Sequence, residues 1–244
     1  MIKKLTLLIF ALGTLAVYGQ NQESVSIHNN DKIQVGVYFS SDICYRTLKE
    51  NEANDTSAAS FITYRNLTEE PKTGFTTAIS FNYKLSKKVY FETGLQYSNK
   101  GYQVYNRYLQ VIQNDSIELH SIFKDNFQYI SIPIKFYAYL SKKKVSFFSS
   151  FGISVDYLIR ANNSLVIRSD NLDTYKSTNP SPYNYNLFNI TPFIGFGADF
   201  QLNKKINVLV EPMFSYSVLK IIDDQPITGY LWNSGLRLSF QVKI

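Results

Sequence analysis

Residues 127–140 read Phe-Gln-Tyr-Ile-Ser-Ile-Pro-Ile-Lys-Phe-Tyr-Ala-Tyr-Leu and residues 145–157 read Val-Ser-Phe-Phe-Ser-Ser-Phe-Gly-Ile-Ser-Val-Asp-Tyr, with only Ser-Lys-Lys-Lys between them. In both runs polarity alternates at every second position, the period of a strand whose two faces meet different surroundings. The same unit recurs along the chain. A first run sets Ile33, Val35, Val37, Phe39, Ile43 and Tyr45 against Gln34, Gly36, Tyr38, Ser40 and Asp42. Comparable runs cover residues 75–85, 89–98, 188–202, 206–218 and 230–244. That predicts eight strands. The connections sort by length. Residues 86–88, 141–144 and 203–205 turn the chain at once, whereas 46–72, 100–126 and 160–187 are long and polar, and 220–229 is of medium length. Inside the second long connection, residues 108–121 form two β-prone halves around Asn114-Asp115, which predicts a hairpin tip and strands that continue outward. Pro133 cannot donate to a ladder and predicts a bulge.

Beyond the N-terminus no apolar run is long enough for a membrane-spanning helix. A chain of this pattern crosses a membrane only as a closed ring of strands, since unpaired edges cannot sit in hydrocarbon. The expected fold is therefore all-β: an eight-stranded antiparallel up-and-down transmembrane β-barrel with short periplasmic turns and long extracellular loops. Residues 1–19 have a basic start, a short apolar middle and a small residue before Gln20, the form of a secretory signal peptide, with an N-terminal anchor as the alternative. Residues 20–32 are then a periplasmic lead and 33–244 the barrel in the outer membrane.

The apolar faces are expected to meet lipid. Tyr97, Tyr157, Phe188, Tyr216, Tyr230 and Trp232 fall near the loop ends of their strands, and Tyr83, Phe91, Phe200 and Phe240 near the turn ends, as two aromatic girdles require. The 19 Tyr and 18 Phe of the 244 residues suit that placement. A soluble lipocalin-like barrel would turn the alternation inside out and leave the sorting of loops without a cause.

The polar faces carry Lys84, Glu92, Lys135, Asp156, Asp199, Glu211 and Arg237, nearly balanced in sign. Eight strands leave a lumen that side chains fill. Lys84, Glu92, Lys135, Asp199, Glu211 and Arg237 are accordingly expected to form a luminal charge network that plugs the barrel, an ion pathway being the competing reading. Lysines at 87–88, 142–144 and 204–205 supply much of the net charge of +6, so that charge does not point to nucleic acid. Headgroup contact and plain solvation account for them equally.

Candidate chemistry is sparse. His28 and His120 have no acid or thiol at metal-ligand spacing, and neither a metal nor a cofactor is expected. The one cysteine, Cys44, is read as a lumen-facing or loop-base thiol. His120-Ser121 is the only pair that suggests a membrane hydrolase, and a solvated loop explains it better. Gly195-Phe-Gly197 makes room inside a strand and is no phosphate loop.

Residues 91–101 (Phe-Glu-Thr-Gly-Leu-Gln-Tyr-Ser-Asn-Lys-Gly), 129–136 (Tyr-Ile-Ser-Ile-Pro-Ile-Lys-Phe) and 192–199 (Pro-Phe-Ile-Gly-Phe-Gly-Ala-Asp), in that order behind the signal, resemble the PorT-like outer-membrane β-barrel family of the Bacteroidetes. The resemblance implies an integral outer-membrane protein, some of whose relatives assist protein secretion and gliding. The chain is thus expected to be a non-enzymatic binding or scaffold barrel in contact with outer-membrane lipid. Its protein partner would meet the extracellular loops 46–72, 106–121 and 160–187 or belong to a secretion complex. A small pore and a lipid-modifying enzyme are the remaining alternatives.

Overall fold

The computed structural model describes residues 32–51, 56–112, 115–140, 144–169, 174–222 and 227–244. The expected signal peptide, residues 1–19, and all but the last residue of the expected periplasmic lead lie outside the described residues. The elements run β1 (Ile33–Glu50), α1 (Thr56–Thr68), β2 (Glu69–Lys84), β3 (Val89–Ile112), β4 (Asp115–Tyr139), β5 (Val145–Ser169), β6 (Tyr175–Pro180), β7 (Phe188–Gln201), β8 (Ile206–Tyr216) and β9 (Ile227–Lys243).

Eight of these strands close a ring. Each pairs antiparallel with its sequence neighbour, β5 passes directly to β7, and β1 meets β9 from Gln34↔Lys243 to Glu50↔Ile227. Closure satisfies the ladder on both sides of every strand at membrane depth. The two-sided environment then selects the alternation. Phe39, Ile79, Phe81, Ile132, Phe151 and Ile194 stand more than half exposed on the outside, while Ser80, Asn82, Glu92, Lys135 and Glu211 are sealed inside. This inverted burial is what a lipid solvent demands and what a soluble barrel would reverse.

The outward rings meet in pairs across neighbouring strands near the extracellular end. Tyr157 packs on Phe188 (5.2 Å between centroids), Tyr216 stacks on Tyr230 (6.2 Å), Trp232 meets Tyr45 edge-on (5.9 Å), and Tyr97 touches Phe75 (5.8 Å). Phe91, Phe136 and Phe151 make a corresponding run nearer the turns, at 5.5 and 5.7 Å.

Three local expectations change. Pro133 makes no bulge: Thr93↔Ile134 and Gln96↔Ser131 keep one register on either side of it, and the β3–β4 ladder is merely interrupted where the N–H is missing. The register shifts fall instead between Pro71 and Phe75 and between Gln128 and Tyr129. Residues 46–72 are not plain loop, because β1 runs on to Glu50 and α1 follows before β2 begins at Glu69. Residues 160–187 are not plain loop either: β5 continues to Ser169 and β6 folds back on it from Asn162↔Pro180 to Ile167↔Tyr175.

The outer part of the molecule is therefore a sheet. The β3–β4 ladder extends to Ile112↔Asp115 and the β4–β5 ladder to Leu119↔Ser169, whereas β2 leaves β3 at Glu69↔Val104. Above that point β3, β4, β5 and β6 form a four-stranded sheet that stands clear of the barrel. From Tyr97 to Ile112 the strand rises on the order of 50 Å along its own axis.

Candidate functional site: a filled lumen beneath a protruding sheet

The inward faces of the strands meet in layers. At the periplasmic floor Tyr90, Tyr137, Tyr139, Phe148 and Leu209 form a buried cluster. Tyr139 donates to Asp199 Oδ2 at 2.8 Å and Asn207 Nδ2 donates to both Asp199 oxygens at 3.0 Å. Above the floor lie four charges in two pairs. Lys135 Nζ meets Glu211 Oε2 at 2.5 Å, and Arg237 Nη2 bridges Glu92 Oε1 and Oε2 at 2.8 and 2.7 Å. Arg237 Nη1 also lies 3.9 Å from Glu211 Oε2, which joins the pairs, and its guanidinium sits 3.6 Å from the Tyr38 ring centroid. Tyr137 donates to Glu92, and Ser150 to Glu211. Glu92 and Glu211 thus each have both a cation and a hydroxyl, as burial of charge requires. Glycine makes the room: a Cβ at Gly195 would stand 2.5 Å from Glu211 Oε1.

The next layer holds Asp42 and Asp156. Ser40 and Thr76 donate to Asp42 at 2.5 and 2.6 Å, Ser154 and Thr191 both donate to Asp156 at 2.6 Å, and Lys100 Nζ lies 3.5 Å from Asp156 Oδ2. A cavity of about 50 Å³ lies among Tyr38, Asp42, Glu92, Gln96, Lys100 and Arg237. Above it Lys72 donates to Asn99 at 3.0 Å and to Asn126.

The extracellular mouth is closed by a mixed lid. Arg46 Nε and Arg65 Nε clasp Glu69 at 2.7 and 2.5 Å, Arg46 Nη1 reaches Asn66 at 2.6 Å, and Arg65 Nη2 donates to Tyr102 Oη at 3.1 Å. These contacts pin α1 across the place where β1 and β2 part. Over the lumen, Tyr102, Phe127, Tyr129, Leu158, Ile221 and Leu231 form a buried apolar cluster, with Tyr185 edge-on to Phe127 at 5.1 Å. Burial, reinforced by nearby Glu69, pushes the Asp125 carboxyl up from 3.8 to about 6, and burial pushes the Tyr102 hydroxyl up as well. Asn163 Nδ2 donates to Asp125 at 2.8 Å.

Of the residues expected in a luminal network, Glu92, Lys135, Glu211 and Arg237 come together. Asp199 faces the lumen but sits at the floor, with Tyr139 and Asn207. Lys84, half-buried at the periplasmic rim beside Tyr90, stands outside the cluster, because it pairs across the ladder with Tyr90, one inward position below Glu92 on β3. Sequence reasoning missed Arg46, Lys72 and Lys100 as luminal charges. The signal was there: Arg46 continues the inward series Ser40, Asp42, Cys44, and Lys72 precedes Gly74 and Thr76 by the same step of two. Cys44 is fully buried inside.

His120 and Ser121 form no hydrolase pair, and they lie in β4, with Ser121 buried, not in a solvated loop. His120 Nδ1 meets the Tyr105 hydroxyl, and buried Ser121 Oγ has no hydrogen-bond partner among the described residues. No group of three His, Cys, Asp or Glu side chains among the described residues is placed to hold a metal ion.

Residues 19–223 match the family model described as "Outer membrane protein beta-barrel domain". The chain belongs to that family. It resides in the outer membrane. A search of curated proteins finds no match. Among solved structures it is similar to Neisserial surface protein A at 12% identity, covering 87% of this chain and 97% of that one with a TM-score of 0.44. It is also similar to OprG of Pseudomonas aeruginosa at 12% identity, covering 87% and 95% with a TM-score of 0.35. A further resemblance, to the outer membrane protease OmpT of Escherichia coli, is at 8% identity, covering 91% and 99% with a TM-score of 0.37.

Proposed function

We propose that this barrel is a non-enzymatic display scaffold that binds an external protein through the sheet formed by the outer parts of β3, β4, β5 and β6. The observation that carries this reading is the division of the molecule. Paired and hydrogen-bonded side chains crowd the lumen, while the outer sheet has two edges without a partner strand among the described residues: β3 above Val104 and β6. Tyr105, Phe123 and Tyr175 are exposed on it, at 42%, 45% and 57%. Free edges and exposed rings on a rigid frame are the means by which sheets take up a partner. Deletion of residues 106–121 removes the outer hairpin and leaves the barrel ladders intact. Mild-detergent purification from native outer membranes, followed by mass spectrometry, is expected to show a stoichiometric protein with the full chain and none with the deletion.

The second reading is an accessory role in a secretion or gliding complex, as in the PorT-like barrels of Bacteroidetes. The three stretches at 91–101, 129–136 and 192–199 favour it. Under that reading the co-purifying proteins survive the deletion.

A further inference from the structure

All three short connections carry one text: residues 85–88 read Leu-Ser-Lys-Lys, 140–143 Leu-Ser-Lys-Lys and 202–205 Leu-Asn-Lys-Lys. Residues 141–143 lie outside the described residues, and the other two turns share one hydrogen-bond pattern. Ser86 Oγ accepts from Lys88 N at 3.3 Å and from Val89 N at 3.1 Å, while Leu85 N donates to Val89 O at 3.0 Å. Asn203 Oδ1 accepts from Lys205 N and Ile206 N, both at 2.8 Å, while Leu202 N donates to Ile206 O at 3.0 Å. The Ser or Asn is what the turn requires, since its side-chain oxygen replaces a ladder acceptor.

The turn does not require the lysines. Lys87, Lys88, Lys144, Lys204 and Lys205 are all exposed and enter no ion pair among the described residues, and no described residue of these turns is acidic. Lys32, Lys84 and Lys243 add charge of the same sign to the same rim. Left to themselves, neighbouring turns of like charge repel one another. The leucines add the second half of the pattern. Leu85, Leu140 and Leu202 are 52%, 62% and 59% exposed at the foot of the lipid face, each beside its lysines. The apolar foot and the cations therefore sit where the inner leaflet passes from acyl chain to phosphate.

We propose that the periplasmic rim is a collar for anionic phospholipid, with the leucines in the acyl layer and the lysine ammonium groups on headgroup phosphates. Continuity of the leucines with the lipid-facing surface favours lipid over a periplasmic polymer.

The test uses the folded barrel in phosphatidylcholine vesicles that hold spin-labelled phosphatidylglycerol or spin-labelled phosphatidylcholine as probe. Electron paramagnetic resonance reads the ratio of the motionally restricted fractions. The protein is expected to prefer the glycerol lipid about threefold at low salt and to lose that preference at about 0.5 M NaCl. The K87Q/K88Q/K204Q/K205Q variant, its folding checked by heat-modifiable gel mobility, is expected to lose more than half of that preference. Arg160→Gln, at the other end of the barrel, is expected to keep the preference. Equal association of the two lipids with the unaltered protein would overturn the proposal, as would a preference abolished by Arg160→Gln or retained in full in the quadruple variant. An unaltered protein that ignores the charged lipid but sediments with peptidoglycan would assign the collar to a carboxylate polymer and likewise overturn it.

Discussion

Glu92 lies at the bottom of a lumen closed at both ends, and its two oxygens hold the Arg237 fork at 2.8 and 2.7 Å. Removing one partner of a buried pair leaves the other charged and dry, and that costs more than the pair itself contributes. Glu92→Gln is therefore expected to destabilise the barrel by about 3–5 kcal/mol in urea titrations, whereas Glu92→Met with Arg237→Met recovers most of the loss. A single substitution that costs nothing would show that Arg237 finds its counter-charge elsewhere. Asp125 makes a prediction of opposite sign. Its folded pKa of about 6 lies above the ordinary 3.8, so the folded state holds an extra proton between those values. The associated stability is present at low pH and lost as pH rises through about 6. Asp125→Asn mimics the protonated form and should gain on the unaltered protein more at pH 7 than at pH 4.5. Parallel unfolding midpoints across that range would contradict the account.

At the scale of elements, the barrel strands were legible and their outer continuations were not, for one physical reason. Alternation is written into a sequence only where the two faces meet different solvents. Between the girdles one face meets lipid, so Ile130, Ile132 and Ile134 alternate with Ser131 and Lys135. Past the girdle both faces meet water or other polar groups. Asn162, Asn163 and Ser164 then read as loop while their backbones pair with β4 and β6 without a break. The helix α1 was hidden differently. It carries apolar residues on its pinned side, at Ala58 and Ile62, and on its free side, at Phe61, Tyr64 and Leu67, so no single-faced period stands out. Four of the six residues expected to form the charge network were found from inward parity alone, because parity fixes the face. It does not fix height along the axis, and Lys84 and Asp199 differ from the others in height. The autonomy of the outer hairpin follows from the same topology. Because β3 and β4 keep a single register below residue 106, deletion of residues 106–121 should leave a barrel that still shows heat-modifiable mobility. Loss of the folded barrel would mean that the outer sheet is needed for closure.

At the scale of the whole molecule, a lumen crowded with paired side chains stands beneath an outer sheet with open edges. The aromatic floor, the four paired charges and the apolar lid occupy the axis in succession, with cavities of about 50 Å³ beside Arg237 and about 90 Å³ at the floor beside Asp199. Such volumes are on the scale of a few water molecules each. On the proposed display reading, activity resides outside the ring, on the outer sheet and at the two rims. Planar-bilayer recording of the purified, folded barrel tests this most directly. The account predicts no steady open level above the bare membrane, at low or high salt. A large, sustained single-channel conductance would show that the luminal layers part, and the barrel would have to be read as a pore.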